Sequence, residues 1–341
     1  MVPIFKIVTV LVIWFSLGWG SAPVQAEPAV SAASYLLLEA ASGQVLLEYN
    51  GYQPRPPAST TKILTAITAL DLAEVTEVAT VSPNADRIGD ASIYLEAGEM
   101  FTLEGLLQGA LIKSGNDATV AIAEQVAGTE RLFMDLVNRK AHLLGAIHTD
   151  FYNPHGLPHE KHLTTAYDLA LIAEYAMRNP VFASMVRTQE TSISALNTKR
   201  KIKLKNTNRL LWTDQGVIGV KTGTTDRAGR CLVAAAEREG RSLIAVVLKS
   251  ADRFGDALRL LDLGYEQYSL YRLPETIGCL VLDVRGGEPS CVTVQPAYQP
   301  VWSLPGGKKL AVQLSVPETL AAPIKEGDVV GKIIVSYKGK L

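Results

Sequence analysis

The folded part of the chain opens on two short apolar runs. Tyr35-Leu36-Leu37-Leu38-Glu39 and Val45-Leu46-Leu47-Glu48-Tyr49 flank Ala41-Ser42-Gly43, the signature of a β-hairpin. From Thr60 to about Ala73 the period changes. Ile63, Leu64, Ile67, Leu70 and Leu72 recur without an intervening Pro or Gly, which predicts a largely buried helix. Between about Thr102 and Met177 the spacing is helical almost throughout. It is broken at Ser114-Gly115-Asn116, at Gly128 and at Asn153-Pro154-His155-Gly156-Leu157-Pro158, so a helical subdomain is predicted. Alternation returns in Thr191 to Leu196, Lys201 to Lys205, Gly216 to Lys221, Cys231 to Ala236 and Leu243 to Leu248, predicted as neighbouring strands of an antiparallel sheet. A last helix is predicted from about Asp252 to Tyr268, with Leu258, Leu261 and Tyr265 at helical spacing.

Near Leu273-Pro274 the pattern changes to short β-rich runs punctuated by Gly and Pro: Cys279 to Val284, Cys291 to Val294, Leu310 to Val316 and Val329 to Tyr337. These predict a small all-β domain without a titratable cluster. The 341 residues exceed what one core usually supports, about 250 to 300 residues, and agree with two domains. At the other end, Lys6 precedes an apolar run from Ile7 to about Gly18, and Val24-Gln25-Ala26 precedes Glu27, which reads as a secretory signal peptide. The run is short of the roughly 20 residues of a membrane span. An uncleaved anchor is the alternative, and both readings export the folded part. The expected organisation is therefore a signal peptide over 1–26, a main domain over 27–272 and a β-rich domain over 273–341.

Charge and cysteine content narrow the picture further. The 33 basic residues nearly balance 34 acidic ones, a formal net charge of −1, so there is no electrostatic footprint for nucleic acid. Of the three cysteines, Cys279 and Cys291 lie on successive runs around Arg285-Gly286-Gly287-Glu288-Pro289. A hairpin there brings them close enough to bridge, and two free thiols are the equally ordinary alternative. Cys231 is then a lone core thiol.

Three strings carry chemistry: Ser59-Thr60-Thr61-Lys62, Ser114-Gly115-Asn116 and Lys221-Thr222-Gly223. The first spaces a hydroxyl and an amine three residues apart, on one face of a helix. By itself it also describes an N-cap serine followed by a surface lysine. The second falls at a break between helices and the third at the end of a strand, which is where a serine nucleophile with a lysine base needs them. Lys62 acts as a base only when neutral, and burial and a second cation at Lys221 both lower a lysine pKa. The Ser59 backbone N–H at a helix N-terminus can face an oxyanion. Ser114 is the candidate proton relay and Asn116 a candidate amide for a substrate backbone. Lys221 and Thr222 can bind a carboxylate, with Gly223 letting a backbone approach.

On these strings the chain resembles the low-molecular-mass penicillin-binding proteins, the serine D-alanyl-D-alanine carboxypeptidases, from about residue 30 to residue 270. Pro57-Ala58-Ser59-Thr60-Thr61-Lys62, Lys113-Ser114-Gly115-Asn116-Asp117-Ala118, Asn153-Pro154-His155-Gly156-Leu157, Gly219-Val220-Lys221-Thr222-Gly223-Thr224-Thr225 and Ala228-Gly229-Arg230-Cys231 all look like that family's segments. The resemblance implies an α+β fold. A β-lactamase/transpeptidase-like domain, an antiparallel sheet flanked by helices plus a helical subdomain, precedes a small all-β domain. It implies Ser59 as acyl-enzyme nucleophile, Lys62 as its base, Ser114 as relay and Asn116 as a substrate contact. Lys221 and Thr222 would meet the substrate's terminal carboxylate, the Thr224 N–H would complete the oxyanion hole, and Arg253 would assist at the carboxylate. Family members often carry histidine where this chain has Thr224. A surface arginine at a helix start is the other reading of Arg253.

The implied substrates are peptidoglycan stem peptides ending in D-Ala-D-Ala, with β-lactam antibiotics as covalent inhibitors and no cofactor. A D,D-endopeptidase on crosslinked peptidoglycan and a non-catalytic exported penicillin-binding sensor are the alternatives. A class A β-lactamase needs a deacylating glutamate, and no Glu-x-x-x-Asn pattern occurs beyond Asn116. A zinc site is disfavoured, because His159-Glu160-Lys161-His162 lacks one residue of the H-E-x-x-H spacing. All five histidines, His142, His148, His155, His159 and His162, are expected in a solvated loop region. An α/β-hydrolase would need a Gly-x-Ser-x-Gly elbow that is missing. Members of the resembled family often end in an amphipathic membrane helix. This chain stops at Val335-Ser336-Tyr337-Lys338-Gly339-Lys340-Leu341 without one, which predicts release or an incomplete sequence, with peripheral membrane association left open.

Overall fold

The computed structural model describes residues 6–11, 29–272, 280–296, 301–306 and 310–337. The chain folds into two compact units: Pro28–Tyr265, and a second unit to which the strand Lys6–Leu11 and Glu266–Leu341 belong.

The first unit is built on a five-stranded antiparallel sheet. Its strands are β1 (Ser34–Glu39), β2 (Gln44–Tyr49), β3 (Val217–Thr225), β4 (Gly229–Arg238) and β5 (Arg241–Ser250), in the order β2-β1-β5-β4-β3. Strands β1, β4 and β5 are buried on both faces over six residues each, so the sheet lies between two apolar layers. Leu36, Leu38, Val233, Ala235, Ile244 and Val246 join the core that holds α1 (Lys62–Leu72). Leu37 and Leu243 face the other way, against α6 (Arg253–Gln267), where a Cβ on Gly264 would come within 2.6 Å of Leu37 and 2.7 Å of Leu243. A helix approaches the sheet that closely only where the side chain is missing.

Around α1 pack α2 (Asn116–Ala127), α3 (Glu130–Leu143), α4 (Ala166–Met177) and α5 (Pro180–Arg187). Thr129, Thr165 and Asn179 cap three of these helices through side-chain oxygens. The expected strands at Thr191–Leu196 and Lys201–Lys205 do form, as Glu190–Ser194 and Lys201–Lys205. They do not join the main sheet. They pair only with each other, and Ile193 packs on Gly105 of the helical region, because the hairpin's single apolar face is satisfied there. Strand β3 is consequently an edge of the main sheet.

The second unit is β-rich. Leu280–Arg285 and Cys291–Pro296 form the expected hairpin, with Asp283 opposite Cys291. Cys291 is an exposed free thiol, and Cys279 lies outside the described residues. Tyr268–Arg272 and Val301–Pro305 form a two-stranded sheet that the periodicity did not mark. Lys6–Leu11, read from the sequence as part of a leader, is a strand pairing in parallel with Cys291–Pro296 and Lys332–Tyr337. Its β-branched Ile7, Val8, Thr9 and Val10 suit an extended backbone as well as they suit a leader's apolar centre.

Candidate active site

Ser59 lies on a 3₁₀ turn, Ala58–Thr61, that feeds α1. The turn is held under constraint. Ala58 adopts a left-handed φ of 50°, uncommon for a residue with a side chain. Thr60 and Thr61 donate their hydroxyls back to the Pro57 and Ala58 carbonyls, each at 2.8 Å. Two glycines press on it from outside. A Cβ on Gly156 would lie 2.0 Å from the Ala58 carbonyl oxygen, and one on Gly223 would lie 2.9 Å from both the Pro57 carbonyl oxygen and the Ser59 nitrogen. On the side where a Cβ would project, Gly223 thus packs directly on the nucleophile turn.

Lys62 is completely buried at the start of α1. Its Nζ lies 2.9 Å from Ser59 Oγ, 2.7 Å from Asn116 Oδ1 and 2.9 Å from the His155 carbonyl oxygen. Burial first, and the Lys221 charge second, lower its pKa well below the ordinary lysine value, while Asp117 pulls the other way. A neutral amine has two N–H groups and one lone pair. Asn116 Oδ1 and the His155 carbonyl can only accept, so they take both N–H groups and leave the lone pair facing the Ser59 hydroxyl. The Asn116 amide orientation follows from its other end, where Nδ2 donates to the Gly89 carbonyl at 2.9 Å. Both ends of the Asn116 amide are therefore engaged within the protein.

Ser114 terminates a π-turn, Gly109–Lys113, at a left-handed φ of 72° and is nearly buried. The loop across from it is organised by Asp117, whose carboxylate accepts from the Ser92 hydroxyl at 2.5 Å and from the Ile93, Leu95 and Ala118 backbone N–H groups. The Asn153–Leu157 loop is shaped by Asn153. Its Oδ1 accepts from the Gly156 N–H at 2.7 Å and its Nδ2 donates to the Leu157 carbonyl at 2.9 Å. Thr65 of α1 anchors the same loop by donating to the Pro154 carbonyl at 2.7 Å.

Two histidines depart from the expected solvated region. His155 and His162 are buried, and burial first lowers both to about 3, with Lys62 adding to the effect at His155 and His159 at His162. His162 accepts from the Tyr152 N–H at Nδ1 over 3.1 Å, which leaves Nε2 to donate to Thr61 Oγ1 over 2.9 Å. Its ring stacks on Phe151 with centroids 4.6 Å apart.

Lys221 to Thr224 occupy the edge strand β3, with Gly223 opposite Cys231 and Thr224 opposite Arg230 on β4. Lys221 is buried, and burial together with the Arg253 charge lowers it to about 7. Thr222 Oγ1 lies 2.6 Å from Thr207 Oγ1. Arg253 donates to the Gly223 carbonyl at 2.8 Å and to Thr224 Oγ1 at 2.7 Å, bracing the strand end. Cys231 is buried, its thiol pushed up to about 11, and is chemically quiet.

The structure thus joins Ser59, Lys62 and Asn116 by hydrogen bonds and Arg253 to Thr224 by another. Gly223 links the strand end to the nucleophile turn by close packing. The residues that sequence reasoning left without a role are Asn153, Gly156, Asp117, His162 and Thr207. The Asn153–Leu157 string was the available signal for the first two. Nothing in the sequence pointed to the His155 carbonyl, since every residue has one.

A serine hydroxyl 2.9 Å from a buried lysine amine, at the edge of an antiparallel sheet, is an arrangement that can carry out serine acyl transfer. The chain belongs to the D-alanyl-D-alanine carboxypeptidase family, peptidase family S11, whose sequence profile matches residues 21–252. It is 33% identical over 330 residues to the D-alanyl-D-alanine carboxypeptidase DacF of Bacillus subtilis, covering 92% of this chain and 84% of the relative. It is also 33% identical over 334 residues to DacC of Escherichia coli, covering 92% and 82%. Among solved structures, penicillin binding protein 5 from Haemophilus influenzae superposes with a TM-score of 0.80 at 27% identity, covering 94% of this chain and 96% of that one. The Streptomyces K15 DD-transpeptidase superposes with a TM-score of 0.68 at 29% identity, covering 71% and 99%.

Proposed function

We propose that this protein is an exported serine D-alanyl-D-alanine carboxypeptidase that removes the terminal D-alanine from peptidoglycan stem peptides. The observation that carries the mechanism is the three-way fixing of Lys62, with two carbonyl oxygens on its N–H groups and the Ser59 hydroxyl at its lone pair. Ser59 Oγ attacks the carbonyl carbon of the penultimate D-alanine while Lys62 takes the hydroxyl proton. The oxyanion that develops faces the Ser59 and Thr224 backbone N–H groups, and a preorganised donor of that kind contributes about 3 to 4 kcal/mol. Ser114 passes the proton from Lys62 to the departing amine as the C–N bond breaks. Water then attacks the ester, Lys62 again accepting the proton, and Ser59 is regenerated.

Lys221, Thr222 and Arg253 bind the substrate's terminal carboxylate. Asn116 contributes chiefly by holding Lys62, since both ends of its amide are engaged. β-Lactams acylate the same serine and leave slowly. Export is supported by the leader-like start of the chain and by a substrate that lies outside the cytoplasm.

Labelling with a fluorescent penicillin, in wild type and Ser59→Ala, tests the nucleophile, with label expected only in wild type. Product analysis of a muropeptide digest tests the reaction, with free D-alanine expected from pentapeptides. Cleavage confined to crosslinked dimers would replace this reading by an endopeptidase. Absence of both label and product would leave a non-catalytic penicillin-binding sensor.

A further inference from the structure

A cavity of about 860 Å³ opens beside the strand end that carries Thr222 and Thr224, and its walls include Thr207, Arg209, Trp212, Arg230, Asp252 and Arg253. Its position is fixed by two contacts already described. Thr207 touches Thr222 through their hydroxyls at 2.6 Å, and Arg253 braces Gly223 and Thr224. Arg209 lies two residues after Thr207, at the start of the short helix Leu210–Thr213, and Arg230 lies opposite Thr224 in the β3–β4 register.

The cavity is strongly basic. Among the described residues, Arg209, Arg230 and Arg253 have no carboxylate within 4.0 Å. Arg230 donates to the Ala251 carbonyl and Arg253 to carbonyls and a hydroxyl. Asp252 is the acidic residue on the wall, and its Oδ1 accepts from the Gly255 N–H at 3.2 Å. Lys205 also lines the cavity but is paired with Glu190 at 2.8 Å. All three arginines line the one cavity, and burial first, then the charges of Arg230 and Arg209, lower the Arg253 guanidinium from its ordinary value while Cys231 pulls the other way. Three arginines gathered around one open space, unpaired and outnumbering the one carboxylate on its wall, are relieved by an anion that enters it.

The size is as informative as the charge. A volume of about 860 Å³ falls in the range that holds a whole small-molecule ligand, far beyond what the methyl group of a terminal D-alanine fills. The side chain of a substrate's last residue leaves the same carbon as its carboxylate, so a carboxylate held at Thr222 and Arg253 would set that side chain next to this cavity, whose wall includes Arg253 and the Thr207 that touches Thr222.

We propose that the Arg209–Arg230–Arg253 cavity is a leaving-side subsite for acidic substrates. It would take peptides whose last D-residue carries a second carboxylate on its side chain. The inference rests on the reading of Thr222 and Arg253 as the carboxylate hook. It extends the substrate class from terminal D-alanine to larger, anionic leaving residues.

The test is equilibrium binding to the full-length Ser59→Ala protein, which keeps the cavity and cannot form an acyl-enzyme. Three N-acyl peptides are compared, ending in D-Ala-D-Ala, D-Ala-D-Glu and D-Ala-D-Lys. The D-Glu peptide is expected to bind about fivefold or more tighter than the D-Lys peptide at low salt, and the ratio is expected to shrink toward one at 0.5 M salt. In Ser59→Ala/Arg209→Glu the ratio is expected to fall toward one. Arg209 is exposed, and the melting temperature of the double variant checks that it folds. Equal affinities for the acidic and basic peptides, or a ratio unmoved by Arg209→Glu, overturns the subsite. Because no turnover is read, this result is separate from the penicillin-labelling result. Label on Ser59 without charge discrimination removes the subsite alone, and discrimination without label removes the catalytic reading alone.

Discussion

Gly156 touches Ala58 so closely that a Cβ at Gly156 would lie 2.0 Å from the Ala58 carbonyl oxygen. Gly156 has a φ of 90° and Ala58 a φ of 50°, so two left-handed residues from distant segments brace the nucleophile turn against each other. One consequence concerns Gly156→Ala. Backbone cannot yield as a flexible side chain can, and the substituted residue would also pay for its left-handed φ. The variant is expected to lose about 2 to 4 kcal/mol of stability and at least tenfold in penicillin acylation rate. Urea unfolding and acylation kinetics measure both. Gly128→Asn is the matching control, since that residue has a φ of 77° with nothing within 4 Å of its Cβ position, and it is expected to change little.

His162 supports the same turn from below through Thr61. His162→Phe keeps the stack on Phe151 but removes both ring hydrogen bonds, leaving the Tyr152 N–H without its acceptor. Each loss is worth about 1 to 3 kcal/mol when the orphaned group is buried. The expected result is a lower melting temperature together with slower acylation. Between pH 5 and 8 the wild-type profile should show no limb from this ring, because its pKa is about 3. A limb near pH 6 that vanishes in the variant would contradict the strut.

On the proposed mechanism the two buried lysines set opposite limbs of the pH profile. Lys62 is active when neutral, so activity rises with pH through its lowered titration. Lys221 binds a carboxylate when charged and has a pKa of about 7, so kcat/KM is expected to fall above about pH 7, both limbs belonging to the coupled pair. A bound carboxylate holds the proton on Lys221, which moves the limb in kcat to higher pH. Lys221→Arg should carry the alkaline limb of kcat/KM upward, since guanidinium stays charged. An alkaline limb that does not move in this variant assigns it to another group.

The same shift has a sign for stability. The folded pKa of Lys221 is below its unfolded value of 10.5, so between about pH 7 and 10.5 the unfolded chain binds more protons than the folded one. The Lys221 contribution to stability therefore rises with pH across that window. Lys221→Met, which keeps the aliphatic volume and removes the buried charge, is expected to gain about 0.5 to 2 kcal/mol at pH 7 while losing activity. Calorimetry at pH 7 and pH 9.5 reads the difference, and a variant less stable than wild type at pH 7 would falsify the account.

Leader removal is read from the mature protein. Cleavage after Ala26 predicts an N-terminus at Glu27, checked by intact mass on protein recovered from outside the cytoplasm. A full-length mass in that fraction would mean that Lys6–Leu11 is retained, with its two parallel strand pairings.

Most elements of the first unit were legible in periodicity because they report local geometry: the hairpin of β1 and β2, α1, the helical region and α6 all fall where the apolar spacing placed them. The hairpin at Glu190–Ser194 and Lys201–Lys205 shows the limit. Alternation marks a strand with one apolar face, but which surface covers that face depends on residues far away, here Gly105. The strands Tyr268–Arg272 and Val301–Pro305 were missed for the same reason, since they are defined by pairing with each other across a long stretch of chain.

The sequence by itself determined the chemistry available: a hydroxyl and an amine three residues apart, a second serine at a helix break, and a lysine-threonine-glycine strand end. Tertiary structure decided how those groups meet and how far they are shielded from water. Lys62 is fully buried at the start of α1, and its amine is held between Ser59 Oγ, Asn116 Oδ1 and the His155 carbonyl, the setting that the proposed base role uses. The Asn116 amide bonds Lys62 at one end and the Gly89 carbonyl at the other, and Gly223 packs on the nucleophile turn, contacts that the residue names alone do not announce. Desolvation depends on segments converging from distant parts of the chain, and a backbone carbonyl is supplied by any residue type. Neither leaves a signature in the residue names.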